Sequence, residues 1–262
     1  MCFYYAITKK NAKSLVAKGI IKEKQLELFT DHFLVNGFEH PAMPVITGEM
    51  PNEISFFRWG FVPNTVRTEA SAAEILKRYN TLNAHSDRIF ESKLYGEAVR
   101  NNRCLVLCSG FFEWRKVKGK KVPYYISLND DSLFAFAGIW SNWVDELGEV
   151  HGTYAILTVE ANELLAQVHN VKKRMPLILT PDQAKQWLNF DLSTEIIKDI
   201  LKPIASESLK AHTVNQFLST PQNERNNPEI IAYYNYPGVD EIVLEKLQEP
   251  NNESGKQLLF DF

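Results

Sequence analysis

Arg103-Cys-Leu-Val-Leu-Cys-Ser-Gly-Phe-Phe-Glu-Trp114 is the stretch from which the rest of the chain is read. Residues 103–108 are short, continuous and rich in aliphatics, the pattern of a buried strand. Gly110 interrupts that pattern. Phe111, Phe112 and Trp114 then flank Glu113. Three aromatic rings can wall a carboxyl from water, which raises its pKa and suits it to general acid–base chemistry. Read by itself, Glu113 is also simply a surface acid on a hairpin.

Outward from this stretch, residues 122–128, 133–140 and 153–159 read as strands. With the central strand they form an antiparallel meander. The link Asn129-Asp-Asp-Ser132 has turn chemistry. Residues 160–169 follow as a helix with Leu164, Leu165 and Val168 on one face. A strand at 175–179 leads to Thr180-Pro181, an N-cap and N1 pair opening a helix to about residue 189. Another helix spans 193–201.

Upstream, residues 1–8 read as a strand. Residues 11–29 are amphipathic at helical spacing, with Leu15, Ile20, Ile21, Leu26 and Phe29 inward and Gly19 as a break. Pro41 and Pro44 make 38–47 an extended loop ending in a short strand from residue 44. Residues 54–59 form a strand, 70–80 a helix, 82–88 a polar turn and 91–100 a short helix. These elements predict an α+β fold with a mostly antiparallel, barrel-like β-sheet core flanked by helices. They fit one domain over 1–235, followed by an acidic extension over 236–262 with a flexible linker and a terminal apolar peptide.

Composition bounds the function. The chain has 262 residues, 45% apolar and 23% charged, as expected of a globular protein. Its apolar runs fall short of a membrane span, and Lys9 and Lys10 follow rather than precede the apolar start, unlike a signal peptide. No membrane association and a cytoplasmic location are expected. Cys104 and Cys108 lack Cys-x-x-Cys spacing, and no second cluster would complete a zinc site. On a strand they share a face as small core hydrophobes. Neither metal, cofactor nor disulfide is expected. Net charge is −3, but nine Lys/Arg face three Glu between Arg88 and Lys121, and three Lys/Arg face eight Asp/Glu after residue 221. A basic stripe on a near-neutral protein fits selective phosphate contact. Its lysine-rich part, 115–121, is equally a solvated hairpin tip. Nucleophile elbows, phosphate-binding glycine loops and His-Glu-x-x-His motifs are absent from the sequence.

Cys2 offers different chemistry. If Met1 is removed, Cys2 carries both a thiol and an α-amine, with ordinary pKa values of about 8.5 and about 7.7–8.0. An amine and a thiol on adjacent carbons match an aldehyde: the amine forms a Schiff base and the thiol closes a thiazolidine. Cys2 is otherwise an incidental terminal residue. Asn83 can orient a nucleophile or a sugar oxygen, or be an ordinary turn asparagine. His169, at a predicted helix end, can favour the helix dipole or pass protons near neutrality. Lys172, Lys173 and Arg174 would supply phosphate contacts.

The chain resembles the SRAP family, the SOS-response-associated peptidases or abasic-site processing proteins. The resemblance rests on Met1-Cys2, Arg58-Trp-Gly-Phe-Val-Pro63, Leu82-Asn-Ala84 and Arg103 to Trp114. Pro123-Tyr-Tyr-Ile126, Phe136-Ala-Gly-Ile-Trp140, Ala155-Ile-Leu-Thr158, His169, Arg174-Met-Pro-Leu-Ile-Leu179 and His212-Thr-Val-Asn215 extend it, so that it covers roughly residues 1–235. It implies binding to abasic sites in single-stranded DNA and a covalent DNA–protein crosslink through Cys2. It also implies hydrolase-type removal of the residue before Cys2 and an abasic-site lyase-like side activity. By family pattern Cys2 is the nucleophile, Asn83 positions it and the sugar, and Glu113 and His169 handle protons: Glu113 in ring opening and His169 in the Schiff-base steps, or the reverse. Tyr4 and His85 stand where many members carry arginine. Arg88 and Arg174 are then the leading DNA contacts, followed by His85 and His212. Trp59 either stacks on a base or packs in the core. Lys256-Gln-Leu-Leu-Phe-Asp-Phe262 resembles sliding-clamp-binding peptides, with Gln257 to Phe262 as the anchor. The alternative is a terminal strand packing on its own domain. A monomer is expected. Competing readings are a thiol peptidase acting on other proteins and a non-catalytic single-stranded-DNA-binding module.

Overall fold

A computed structural model describes residues 2–17, 21–217, 224–240 and 242, the side chains of Ser14, Leu15 and Ala17 excepted. Gly19 and Ile20, the Leu15 side chain, the linker after residue 249 and the peptide 257–262 therefore lie outside the described residues.

The chain runs β1 (Tyr4–Ile7), α1 (Lys9–Ala17), β2 (His32–Asn36), β3 (Ala42–Thr47), β4 (Ser55–Trp59), α2 (Glu69–Arg78), β5 (Asn83–His85), α3 (Gly96–Asn101), β6 (Arg103–Cys108) and β7 (Gly110–Val117). It continues through β8 (Lys120–Leu128), β9 (Phe134–Val144), β10 (Val150–Glu160), α4 (Glu163–Val168), β11 (Arg174–Pro176), β12 (Ile178–Leu179), α5 (Pro181–Trp187), α6 (Thr194–Ile200) and β13 (Leu209–Thr213). The fold class is as expected: α+β, with mostly antiparallel sheets around a closed barrel.

Strands β10, β4, β3, β6 and β9 pair in that order, and β9 pairs back with β10. Five strands cannot alternate direction all the way round a ring, so at least one pair must run parallel. That pair is β4–β10, with Arg58 opposite Thr153. The interior is filled by alternate aliphatic and aromatic side chains such as Val45, Val106, Phe136 and Ile156. A second sheet, ordered β13-β8-β7-β1-β2, packs beside the barrel.

The meander expected around residues 103–159 is replaced by a switch between sheets. After β6 the chain leaves the barrel at Ser109, whose N–H donates to Ala6 O at 2.7 Å and whose hydroxyl accepts the Thr8 N–H at 3.0 Å. Gly110 makes the crossing possible: a Cβ there would lie 2.2 Å from the Tyr125 ring. Strand β7 then pairs with β1 and β8, and the chain returns to the barrel at β9, between β6 and β10.

Three further expectations change. Residues 82–88 are not a turn: Asn83–His85 lies parallel to β10, with Asn83 opposite Ile156 and His85 opposite Thr158. Three polar-flanked residues carry no periodicity, so only the tertiary partner makes them a strand. The long N-terminal helix is the shorter α1 and then 3-10 turns over Glu23–Leu28, begun by the Lys22 N–H donating to Gln25 Oε1 at 2.8 Å. The loop expected over 38–47 contains the whole of β3, and β2 precedes it. Strands pairing through Met43–Phe57 and Pro44–Phe56 accommodate the proline.

The helix start at Thr180 is as read. Its hydroxyl accepts the Gln183 N–H at 3.3 Å and Gln183 Oε1 accepts the Thr180 N–H at 3.0 Å. Packed chain continues past residue 235, with Tyr236 OH donating to Val214 O at 3.0 Å and Arg115 donating to Asp240 O at 3.1 Å. Among the described residues no helix is long and apolar enough to cross a membrane.

Candidate active site

The site forms where the second sheet meets the rim of the barrel. Strand β1 places Cys2 two residues before its first residue, and β7 places Glu113 on the face that also carries Phe111. From the barrel side, β5 presents Asn83 and the end of α4 presents His169. These four residues, separated by up to 167 positions in the sequence, converge.

Asn83 is buried, and its Nδ2 donates to Cys2 O at 2.9 Å. Its Oδ1 is buried without a hydrogen-bond partner among the described residues. A buried amide oxygen left unpaired is unfavourable and calls for a functional reason. Leu82 O, one residue earlier, accepts from Trp59 Nε1 at 2.9 Å and from the Ile156 N–H at 3.0 Å, which fixes the entry to β5.

Cys2 is fully buried, and its thiol donates to Tyr4 O at 3.6 Å. Burial, and then the negative charge of Glu113, push the thiol well above its ordinary value. It is therefore a protonated thiol at neutral pH and needs a base. Glu113 is 4% exposed. Burial pushes its carboxyl up to about 7, against the charge of the N-terminal amine first and then the Trp114 backbone N–H and the charge of Lys172. A carboxyl titrating at neutrality can both give and take a proton.

His169 caps α4, its N–H donating to Leu165 O at 2.7 Å. Its Nδ1 lies 2.8 Å from Arg174 O and 3.9 Å from Glu113 Oε1. A carbonyl only accepts, so Nδ1 carries the proton and the lone pair of the neutral ring is on Nε2. Burial above all, then the charge of the N-terminal amine and that of Lys172, holds the ring below its ordinary pKa, so it is neutral at pH 7.

The other residues singled out from the sequence divide. Arg174 and His85 border the site. Arg174 donates to Asp87 Oδ2 at 2.7 Å and to Thr158 Oγ1 at 3.3 Å, tying β11 to β10 and to the 3-10 turn after β5. Exposed His85 is held below its ordinary pKa by desolvation first and by the charge of Arg174 second. Arg88 is exposed on that turn. Trp59 is fully buried, tilted against Tyr5 at 5.1 Å and stacked at 7° on Tyr154 at 6.2 Å. Its ring belongs to the core and presents no face to solvent, which corrects the base-stacking alternative. His212 is not brought to the site. It pairs with Tyr125, which pairs with Phe112, so it shares the face opposite Glu113, and its Nε2 bonds Ile231 O at 2.8 Å.

Cys104 and Cys108 are buried and unpaired on β6. Asp145, Glu149 and His151 bring ligand-type atoms within 4.8 Å of one another at the β9–β10 hairpin. Asp145 already accepts from the Leu147 N–H at 2.8 Å and the Glu149 N–H at 2.9 Å, and it bonds His151 Nε2 at 2.8 Å. That pattern describes a hairpin cap. Sequence reasoning missed the buried Tyr5–Tyr154 phenol pair at 3.0 Å beneath the site, and Asn170 beside His169. Neither carries a local sequence signal: the first depends on barrel closure, and the second is one asparagine in a loop.

The family model described as SOS response associated peptidase (SRAP) matches residues 1–221. The chain belongs to the SRAP family. Among its curated relatives is the abasic site processing protein YoqW of Bacillus subtilis, 29% identical over 77% of this chain and 90% of the relative. Another is the abasic site processing protein HMCES of Gallus gallus, 31% identical over 67% of this chain and 56% of the relative. The SRAP fold recurs in a crystal structure of a protein from Bacteroides thetaiotaomicron, with a TM-score of 0.79, 34% identity and coverage of 89% of this chain and 100% of that one.

Proposed function

We propose that this protein captures abasic sites in single-stranded DNA as a covalent adduct through Cys2. The observation that carries the reading is the Asn83 amide bonded to Cys2 O beside a buried glutamate titrating near pH 7. The relatives' shared description as abasic site processing proteins supports it.

Hydrolysis of the Met1–Cys2 peptide bond would release methionine and free the Cys2 α-amine, a self-directed peptidase step at the same site. An abasic deoxyribose opens to expose an aldehyde at C1′. The amine nitrogen adds to that carbon, the carbinolamine loses water, and a Schiff base forms. The thiol sulfur then adds to the imine carbon while its proton passes to nitrogen, which closes the thiazolidine ring. No oxidant or reductant enters.

Glu113 is suited to the proton transfers of sugar-ring opening, since it exchanges a proton near neutrality. His169, neutral and with its lone pair on Nε2, is suited to dehydration of the carbinolamine; the two assignments can be exchanged. The unpaired Asn83 Oδ1 is an acceptor for the α-amine or a sugar hydroxyl. The Schiff base is also the species from which strand cleavage by β-elimination would start, a lyase-type side reaction. Ring closure removes it, so the adduct shields the lesion during the DNA damage (SOS) response. Arg88, Arg174 and the neighbouring lysines would contact phosphates, and His85 would contact the sugar–phosphate edge. In this reading the protein is a cytoplasmic monomer acting at the nucleoid, with residues 257–262 as a candidate sliding-clamp anchor.

The test is a denaturing gel of protein with single-stranded DNA carrying one abasic site, after intact-mass confirmation that Met1 is gone. We expect a slow-migrating adduct with the unmodified protein and none with Cys2→Ala, while Cys2→Ala still binds DNA. Absence of adduct from processed protein, or equal adduct from Cys2→Ala, would overturn the reading.

A further inference from the structure

We propose that Asn170 is a positioning residue: its side-chain amide ties the loop carrying His169 to the backbone of β7 and so sets the separation of His169 from Glu113. The role rests on the proton-transfer functions proposed above for those two groups.

Strand β7 is paired with β8 along its length, but β1 reaches it only at Gly110 and Phe111. Among the described residues, no strand pairs with the β1-side edge of β7 beyond Phe111. Asn170 fills that edge at one point. Its Oδ1 accepts the Lys116 N–H at 3.0 Å and its Nδ2 donates to Lys116 O at 3.0 Å. One amide thus reads both backbone groups of one residue, as a neighbouring strand would.

The placement matters because of what lies on either side. Lys116 is three residues from Glu113 on a strand held straight by β8. Asn170 directly follows His169. The loop also contains Lys172, whose charge acts on both Glu113 and His169, and Lys173 with a φ of 47°, a conformation disfavoured for a non-glycine residue. His169 is held on its other side by Leu165 O and Arg174 O. Those bonds fix the histidine to α4 and β11, whereas the Asn170 pair fixes it to the strand that carries Glu113. Asn170 itself is exposed, so its two bonds bury little surface and their effect should fall on geometry rather than on overall stability.

The experiment compares Asn170→Ala, Asn170→Asp and, as a same-loop control, Val171→Ala, a residue 68% exposed. Single-turnover adduct formation is measured at saturating abasic DNA across pH, and the His169 titration midpoint is followed by NMR in the free protein. For Asn170→Ala we expect a roughly tenfold slower adduct with unchanged DNA affinity and melting temperature, and a His169 midpoint moved up toward the ordinary histidine value. Asn170→Asp, which keeps the acceptor for the Lys116 N–H, should recover part of the rate. Val171→Ala should behave as the unmodified protein. An unchanged His169 midpoint in Asn170→Ala overturns the inference, as does a loss of DNA affinity that accounts for the slower rate. Failure of the proposed function shows differently, as no adduct from the unmodified protein, and the NMR midpoint still decides the role of Asn170.

Discussion

Arg103 and Glu113 stand ten residues apart on one continuous piece of chain, and both are buried, at 2% and 4% exposure. Their surroundings are opposite. The Arg103 guanidinium donates to Trp187 O at 2.8 Å and Val99 O at 3.1 Å, and also to Arg100 O and Asn189 O. These are carbonyls at the C-terminal ends of α3 and α5, where the helix dipole is negative. The cation also lies 5.7 Å from the Trp187 ring centroid. Glu113 shares its face of β7 with Phe111 and lies beside Cys2 and His169, while Phe112 and Trp114 pack on the opposite face. The charge of the N-terminal amine, then the Trp114 N–H and the charge of Lys172, oppose its desolvation only in part, so that its pKa remains near 7. A buried charge matched by fixed dipoles stays ionised and locks elements together. A buried acid matched less well is left able to change its proton at neutral pH, which is the property chemistry needs.

The comparison breaks most directly at Glu113. Glu113→Gln keeps the shape and removes the titration. We expect adduct formation to slow by about 10²–10⁴-fold, the usual range for a general acid–base group. Single-turnover gels would measure it, and a loss of less than tenfold would class Glu113 with Arg103 as a structural residue.

Arg103→Met tests the other side. Removing the cation leaves four helix-end carbonyls without their donor, and at about 1–3 kcal/mol for a buried acceptor left unpaired the expected loss is at least about 3 kcal/mol of stability. Denaturant midpoints would show it. The adduct rate per folded molecule, at a temperature where the variant is folded, should not change. A loss below about 1 kcal/mol would mean that water replaces the guanidinium at those carbonyls.

This contrast also separates what was legible in the sequence from what was not. The run 103–108 announced its burial through unbroken aliphatics, and Thr180-Pro181 announced a helix through capping chemistry; both signals are local. Asn83 was legible as a candidate but not as a strand residue, because its pairing partner, Ile156, lies 73 positions away. The sheet switch at Ser109 depends on Gly110 clearing the Tyr125 ring, a contact between strands that no periodicity records. Arg103 looked like one member of a basic stripe, and only the arrival of α3 and α5 turns it into an internal fastening. Trp59 lies in the core and His212 on the face away from Glu113 for one reason: residue type suggests what a side chain can do, while sheet face decides where it does it.

The same glutamate makes a prediction about stability. The folded state holds the Glu113 proton up to about pH 7, whereas the ordinary value is 4.5. Between those values the folded state binds more protons than the unfolded one, so stability falls as pH rises through the window. Above pH 7 the full effect of a shift of this size is roughly 3 kcal/mol. Glu113→Gln should therefore be about 1–3 kcal/mol more stable than the unmodified protein at pH 8 and within about 1 kcal/mol of it at pH 5. Thermal or urea unfolding at the two pH values would check this. Equal stability at pH 8 would mean that Glu113 is as well matched as Arg103.

The smallest effect extends the comparison to a neutral buried donor. Trp59→Phe removes the N–H that donates to Leu82 O, yet that carbonyl keeps the Ile156 N–H, so no buried group is stranded. The loss should be about 1–2 kcal/mol, from one hydrogen bond and a little volume. Because the indole is buried against Tyr5 and Tyr154, affinity for single-stranded DNA should stay unchanged. The adduct rate should fall by a few-fold, as the entry to β5 loosens and Asn83 is held less tightly against Cys2 O. Weakened DNA binding with unchanged stability would instead give Trp59 a direct part in holding DNA. A fall in stability and rate at constant affinity would make Trp59 a fully paired buried group like Arg103, but one whose influence, unlike that of Arg103, reaches the chemistry through the strand it holds.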